Sequence, residues 1–206
     1  MTGNDGRVYA SVSNFTTGRE LTVSFWMLFR SGRSDGRDTP LLSKGIEPST
    51  SACKAQGCGG FRIWANDSPG GGKVVLSAEF SGRGAAPAAP AVFVGNFRNQ
   101  WTHVAAVFNG FDANVDLYIN GTLASVSRMK IDVRGLRRKS VGDSLHSASA
   151  SDHPLWIGTK STHSCPQAQV DDIAVFGWPL ASEQVAILAA GEVDAATFAA
   201  RVQVIK

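Results

Sequence analysis

Residues 21–29 read LTVSFWMLF, with apolar side chains at every second position. Leu21, Val23, Phe25, Met27 and Phe29 fall on one face of an extended segment, and Thr22, Ser24, Trp26 and Leu28 on the other. Successive side chains of a strand point to opposite sides, so this is the spacing of a strand with one face in a core. Its second face is itself partly apolar. The same period runs through WTHVAAVFN at 101–109, where Thr102, Val104, Ala106 and Phe108 oppose His103, Ala105 and Val107. It recurs in NVDLYIN at 114–120, with Val115, Leu117 and Ile119 set against Asp116 and Tyr118. RVYASVS, PLLSK, GFRIWAN, KVVLSAEF, LWIGT and QVDDIAVFG are further strand candidates. Turn signals such as Ser-Pro-Gly-Gly-Gly at 68–72 divide them.

Asn120-Gly121 joins VDLYI to TLAS. Both residues tolerate the positive φ that a two-residue type I′ turn requires, so a hairpin is predicted there. About ten short strands without interspersed helices predict an all-β, two-sheet antiparallel jelly-roll sandwich. Helical signals come late and predict one or two short C-terminal helices. LASEQVAILAAG at 180–191 offers Ser182 as N-cap, Glu183 in the first turn and Gly191 as a stop. DAATFAARVQ at 194–203 offers a second helix capped by Asp194. Irregular stretches are expected at 81–90, rich in Pro, Ala and Gly, and in a long loop at 133–154.

With 206 residues and 43% hydrophobic side chains, the chain can build one core, and residues 1–206 are expected to form a single domain. The net charge of +3 is too mild to call for a nucleic-acid partner. No apolar run approaches the roughly 18 residues of a membrane span. No apolar segment follows MTGNDGRVYA, so a signal peptide is not recognised and the domain is expected to belong to a longer polypeptide. Three N-glycosylation sequons, at Asn14, Asn66 and Asn120, exceed the roughly one expected by chance, which suggests a secreted or cell-surface protein. The Asn120 sequon is the weakest of them, because Asn-Gly is already explained by the turn.

LTVSFWMLFR, PLLSKG, FRIWAN and VVLSAEF are followed by WTHVAAVFNG, VDLYINGTLAS, LWIGT and QVDDIAVFGWPLASEQV. In order and spacing this series resembles the laminin-G-like domains of the concanavalin A-like lectin/glucanase superfamily. The resemblance covers roughly residues 8–188. It implies a two-sheet jelly roll that binds glycans, proteoglycans or other proteins. It also implies calcium as a candidate cofactor at the rim, and a recurrent aspartate at Asp171.

Catalytic relatives use paired carboxylates in a Glu-x-Asp-x-x-Glu pattern on one strand. The five glutamates here do not supply it. The nearest match, at Glu192 and Asp194, lacks the last glutamate and lies in the expected helical tail, so the protein is not expected to be an enzyme. GRSDG at 32–36 has no helix after it and reads as a loop.

Asp171 and Asp172 adjoin on a strand, so one carboxylate is expected to point into the sandwich, where hydrogen bonds or a calcium ion must satisfy it. Asp5 is a second candidate ligand near the chain start. Cys53, Cys58 and Cys165 are disulfide candidates with the pairing left open. Together with His163 they also suit a tetrahedral zinc site, which an oxidising compartment disfavours. The run of Arg134, Arg137, Arg138 and Lys139 suits a sulfated glycan or other anionic partner. It has no interleaved aromatics, which argues against nucleic acid. Among the tryptophans, Trp101 and Trp156 are expected in the core and Trp178 in packing. Trp26 and Trp64 are placed to line a sheet face, and Trp64 is the candidate for stacking a ligand. The expected function is noncatalytic recognition of a glycan or extracellular protein, with a structural or assembly role in a larger protein as the alternative.

Overall fold

The computed structural model describes residues 7–10, 20–31, 39–44, 60–68, 73–81, 90–109, 114–128, 155–158 and 167–191. Eleven strands lie within them: β1 (Arg7–Ala10), β2 (Glu20–Ser31), β3 (Thr39–Lys44), β4 (Gly60–Asp67), β5 (Val74–Ser81), β6 (Ala91–Gly95), β7 (Trp101–Asn109), β8 (Asn114–Ile119), β9 (Thr122–Arg128), β10 (Leu155–Gly158) and β11 (Gln167–Phe176). One helix, α1 (Ser182–Ala190), follows. A six-stranded sheet runs β1-β10-β3-β4-β5-β6, and a five-stranded sheet runs β11-β2-β7-β8-β9. Every strand pair is antiparallel. This is the predicted jelly-roll sandwich.

The core lies where the alternation placed it. Leu21, Val23, Phe25, Met27 and Phe29 of β2 face Phe61, Ile63 and Ala65 of β4 and Leu76, Ala78 and Phe80 of β5 across the sandwich. Phe80 stacks on Phe108 of the opposite sheet at 4.8 Å between ring centres, so an aromatic contact joins the layers. Burying each such side chain stabilises the fold by about 1.5–3 kcal/mol. β6 is the strand that sequence reasoning did not resolve. It follows Pro90, and its Val92 and Val94 point outward and are exposed, so no polar face marks its period.

A second apolar cluster sits outside the five-stranded sheet. Ala105, Val107 and Tyr118 on the outer faces of β7 and β8 meet Phe176, Leu180, Val185 and Leu188. Helix α1 thereby covers half of this face. Thr22 latches the segment leading into it: its Oγ1 donates to the Trp178 carbonyl at 2.9 Å and accepts from the Leu180 N–H at 3.0 Å. The helix begins one residue earlier than expected, with Ala181 as N-cap. The Gln184 side chain accepts from the Ala181 N–H at 2.8 Å. Alanine has no acceptor to return the bond, so only half of a capping box forms. Gly191 ends the helix in the left-handed conformation, as predicted. The second expected helix, the 133–154 loop, Asp5, Asn14, the three cysteines, Arg134, Arg137, Arg138 and Lys139 lie outside the described residues.

Candidate functional site

The half of the five-stranded sheet that α1 leaves open is set by strand register. Gln169 of β11, Leu28 of β2 and Trp101 of β7 form one cross-strand row. Asp171, Trp26 and His103 form the next. Phe25, Met27, Thr102 and Val104 occupy the intervening inward positions, so all six side chains of these rows belong to the outer face. Trp26 and Trp101 are diagonal neighbours on adjacent strands, a spacing that aromatic side chains span. Trp101 is 46% exposed, Trp26 and Leu28 are half-buried, and Gln169 and Asp171 are exposed. Arg30, two residues beyond Leu28 on the same face, is exposed as well. The result is a small aromatic ledge fringed by an amide, a carboxylate and a guanidinium.

The structure revises the expectation for Trp101, which is not in the core. The parity of β7 already carried this information. Thr102 and Val104 face inward, so Trp101 shares a face with His103. Trp156 is likewise half-buried on an outer face, opposite Ser43 in register, while its neighbours Leu155 and Ile157 face the core. Trp178 packs edge-on against Phe176 at 5.6 Å, as expected.

The turn before β7 holds the ledge in place. The Asn99 N–H, at a residue with φ of 59°, donates to the Phe29 carbonyl at 2.8 Å. Arg98 donates to the Arg30 carbonyl at 3.1 Å and pairs with Asp67 of the opposite sheet. Beneath Trp26 lies His103, 1% exposed, with ring centres 5.4 Å apart in an edge-to-face contact. Its Nε2 shares a 2.9 Å hydrogen bond with Ser24 Oγ. Its Nδ1 has no hydrogen-bond partner among the described residues. Burial lowers the His103 pKa to about 4, so the ring is neutral at physiological pH. Among the described residues no third group orients the base of this Ser–His pair, and the pair is closed to solvent.

Asn120 extends the second row. Its N–H donates to the His103 carbonyl, and its Oδ1 accepts from the His103 N–H, both at 2.9 Å. Asn120 and Gly121 have φ of 48° and 77°, the signs a type I′ turn needs. Gly121 has a further reason to be glycine: an added Cβ would stand 2.9 Å from the Ala186 backbone of α1. The hairpin tip is thus clamped between His103 and the helix. The other described sequon residue, Asn66, is half-buried near the end of β4.

Asp171 does not follow the expected pattern. Neither it nor Asp172 points into the sandwich, and both are exposed. Three residues of β11 span two of β2 between Asp171 and Ala174, a β-bulge. Asp172 takes φ of 48° there, a conformation that aspartate tolerates, and its N–H donates to Asp171 Oδ1 at 2.9 Å. The bulge cancels the alternation that would have buried one carboxylate. Among the described residues, no three His, Cys, Asp or Glu side chains group as a metal site.

Trp64 also differs from an open stacking platform. It is 7% exposed, and the Arg62 guanidinium lies over its ring at 4.1 Å from the centroid. Arg62 in turn pairs with Glu79 at 3.0 Å.

A laminin G family model of the concanavalin A-like lectin/glucanases superfamily matches residues 2–186. The chain belongs to this family. No curated protein is close enough in sequence to match it. Among solved structures, the laminin-G-like chain is similar to the native heptameric SAP-like pentraxin of Limulus polyphemus, at 15% identity and a TM-score of 0.59, over 92% of this chain and 78% of that one. It is similar to the binding domain of botulinum neurotoxin serotype G at 13% identity and a TM-score of 0.56, covering 90% of this chain. It is also similar to the botulinum neurotoxin DC binding domain solved with rat synaptotagmin II, at 15% identity and a TM-score of 0.55, over 85% of this chain. The matched region spans 40% and 36% of those two toxin chains. At these identities the likeness concerns the fold. No described helix is long and apolar enough to cross a membrane.

Proposed function

We propose that this laminin-G-like domain is a noncatalytic recognition module that binds a glycan or protein ligand outside the cell. The observation that carries the reading is the Trp26–Trp101 ledge: a half-exposed indole on a strand, beside the part of the same sheet face that α1 packs against. Exposed apolar surface fringed by polar groups marks an interaction site. The Ser24–His103 pair, closed to solvent and without an acid partner among the described residues, supports a role in packing rather than in turnover. The solved relatives that carry the name of binding domains lend support by analogy alone. The test is substitution of Trp101 by alanine, with binding to immobilised glycans and to candidate extracellular proteins measured side by side. Wild-type binding that Trp101→Ala leaves intact removes the ledge from this role.

Calcium enters the reading through Asp171, with Asp5 as a second ligand. The exposed Asp171–Asp172 bulge presents two hard carboxylates at the sheet edge. Thermal melts with and without chelator test it, since an ion bound only to the native state raises Tm. An unchanged Tm removes calcium from the proposal. Secretion follows from the same reading, and glycopeptide mass spectrometry of protein from a secretory host would test Asn14, Asn66 and Asn120 and the pairing of Cys53, Cys58 and Cys165. Residues 1–206 serve in this reading as one domain of a longer polypeptide. An assembly role is the second reading. Val92 and Val94, 41% and 49% exposed on the edge strand β6, favour it. A strictly monomeric species in native mass spectrometry would count against assembly by self-association.

A further inference from the structure

From a comparison of the sheet edges we infer that β6 is a self-pairing strand: it adds antiparallel to β6 of a second copy of this chain, so that one sheet runs through both copies. The inference rests on the assembly reading above and is independent of the ledge. Among the described residues each sheet ends in two edge strands, β1 and β6 in the six-stranded sheet and β11 and β9 in the five-stranded one. An edge strand leaves a row of backbone N–H and C=O groups unpaired, and proteins guard such rows with charge, proline, bulges or brevity. Three of these edges are guarded. β11 is bulged between Asp171 and Ala174 and exposes Asp171 and Asp172. β9 is bulged opposite Leu117 and Tyr118 and ends on the exposed Arg128. β1 is only four residues long and begins with Arg7. β6 has no such device. Its sequence, Ala-Val-Phe-Val-Gly, holds no charge and no proline, its register with β5 is unbroken, and Val92 and Val94 are exposed.

The occupant is a second copy because the strand is its own complement. Val92, Phe93 and Val94 read the same in both directions. An antiparallel pair with its two-fold axis at Phe93 sets Val92 of each copy opposite Val94 of the other, as an isologous interface requires. Directly opposed side chains stand about 5 Å apart, so the four valines close into one apolar cluster on the outer face. A charge on β6 would meet its own copy near the axis, and β6 carries none. The backbone groups that now face solvent become ladder hydrogen bonds.

The inner face of β6 fixes the strand before a partner arrives. Phe93 packs on the main core, and its ring stacks on Phe97 at 6.1 Å between centres. An added Cβ at Gly95 would stand 2.5 Å from the Phe93 ring, so the glycine leaves room for that ring. An ordered edge needs little rearrangement to pair, which lowers the cost of association. Five residues span only about 17 Å, so the contact falls below the roughly 800 Å² per partner of a stable interface. The dimer is therefore weak and dependent on concentration.

The experiment is analytical ultracentrifugation of the whole chain from about 5 to 500 µM, a range that spans weak association. A reversible monomer–dimer equilibrium is expected. Val92→Lys and Val94→Lys should each raise the dissociation constant at least tenfold, because lysines would face each other across the axis. Val92→Thr keeps the branched shape and should stay within about threefold of wild type, as should Val126→Lys on the outer face of β9. Amide hydrogen exchange at 92–94 should slow as concentration rises, while exchange in β9 stays constant. Circular dichroism melts confirm folding of each variant, and Val92→Lys serves if Val94→Lys misfolds. A monomer at every concentration overturns the inference and, with it, assembly by self-association. A dimer that both lysine variants leave intact, or that only Val126→Lys breaks, overturns the β6 pairing and leaves the assembly reading standing. Growth beyond the dimer overturns the closed two-fold pair.

Discussion

The two sheets carry comparable aromatic residues on their outer faces and treat them differently. On the six-stranded sheet Trp64 is covered, with Arg62 over its ring and Glu79 holding Arg62. On the five-stranded sheet Trp101 stands half-exposed at the edge of a face whose other half α1 covers. Both tryptophans sit at outward positions of regular strands. What packs above them decides whether they are closed into the fold or left open to solvent. A strand's period assigns a face, and the neighbouring elements assign the accessibility of that face.

Breaking the cover on the five-stranded sheet should have the largest effect. Gly121→Ala places a Cβ against Ala186 at a positive φ, and should cost about 3 kcal/mol from left-handed strain plus overpacking. Urea unfolding checks this; a loss below 1 kcal/mol means the hairpin and α1 separate easily. Acid should act next, through the buried histidine. His103 titrates near 4 in the fold and near 6.5 when unfolded, so the unfolded chain takes up the proton first as pH drops. The contribution is fully present above 6.5, and about 2 kcal/mol is lost by pH 5. His103→Gln should flatten that slope between pH 7.5 and 5.

Uncovering Trp64 ranks third. Arg62→Ala removes the guanidinium from the indole and leaves Glu79 without that partner, at about 1 kcal/mol. Acrylamide quenching of tryptophan fluorescence should rise at the same time, and unchanged quenching would mean other groups close over the ring. The smallest effect on stability belongs to Trp101→Ala, within about 0.5 kcal/mol, because the side chain is half in water already. A large loss of stability there would mean that Trp101 is a structural residue and the two faces are alike.

Much of the fold was legible. The alternation in β2, β7 and β8 gave both the strands and their buried faces, and Asn120-Gly121 gave the hairpin. Gly191 gave the helix stop. β6 was missed because its outward residues are valines, so its apolar residues do not alternate with polar ones. The site was legible only in fragments. Trp26 was placed on a sheet face and Asp171 was singled out, but for an inward or metal-bound role. Trp101 was assigned to the core against the parity of its own strand. Gln169 and Arg30 carry no motif at all, since an exposed amide and a guanidinium look alike wherever they occur.

The sequence by itself determined the class of fold, because a two-residue apolar period leaves only a sheet with a buried face. It also determined the inner core and the hairpin turn. The tertiary structure alone decided which outer surfaces are open. The one-residue bulge at Asp171–Ala174 turned an expected buried carboxylate into an exposed one, and the docking of α1 beside His103 divided one sheet face into a second core and a ledge. Both outcomes depend on contacts between segments far apart in the chain, which local periodicity does not encode.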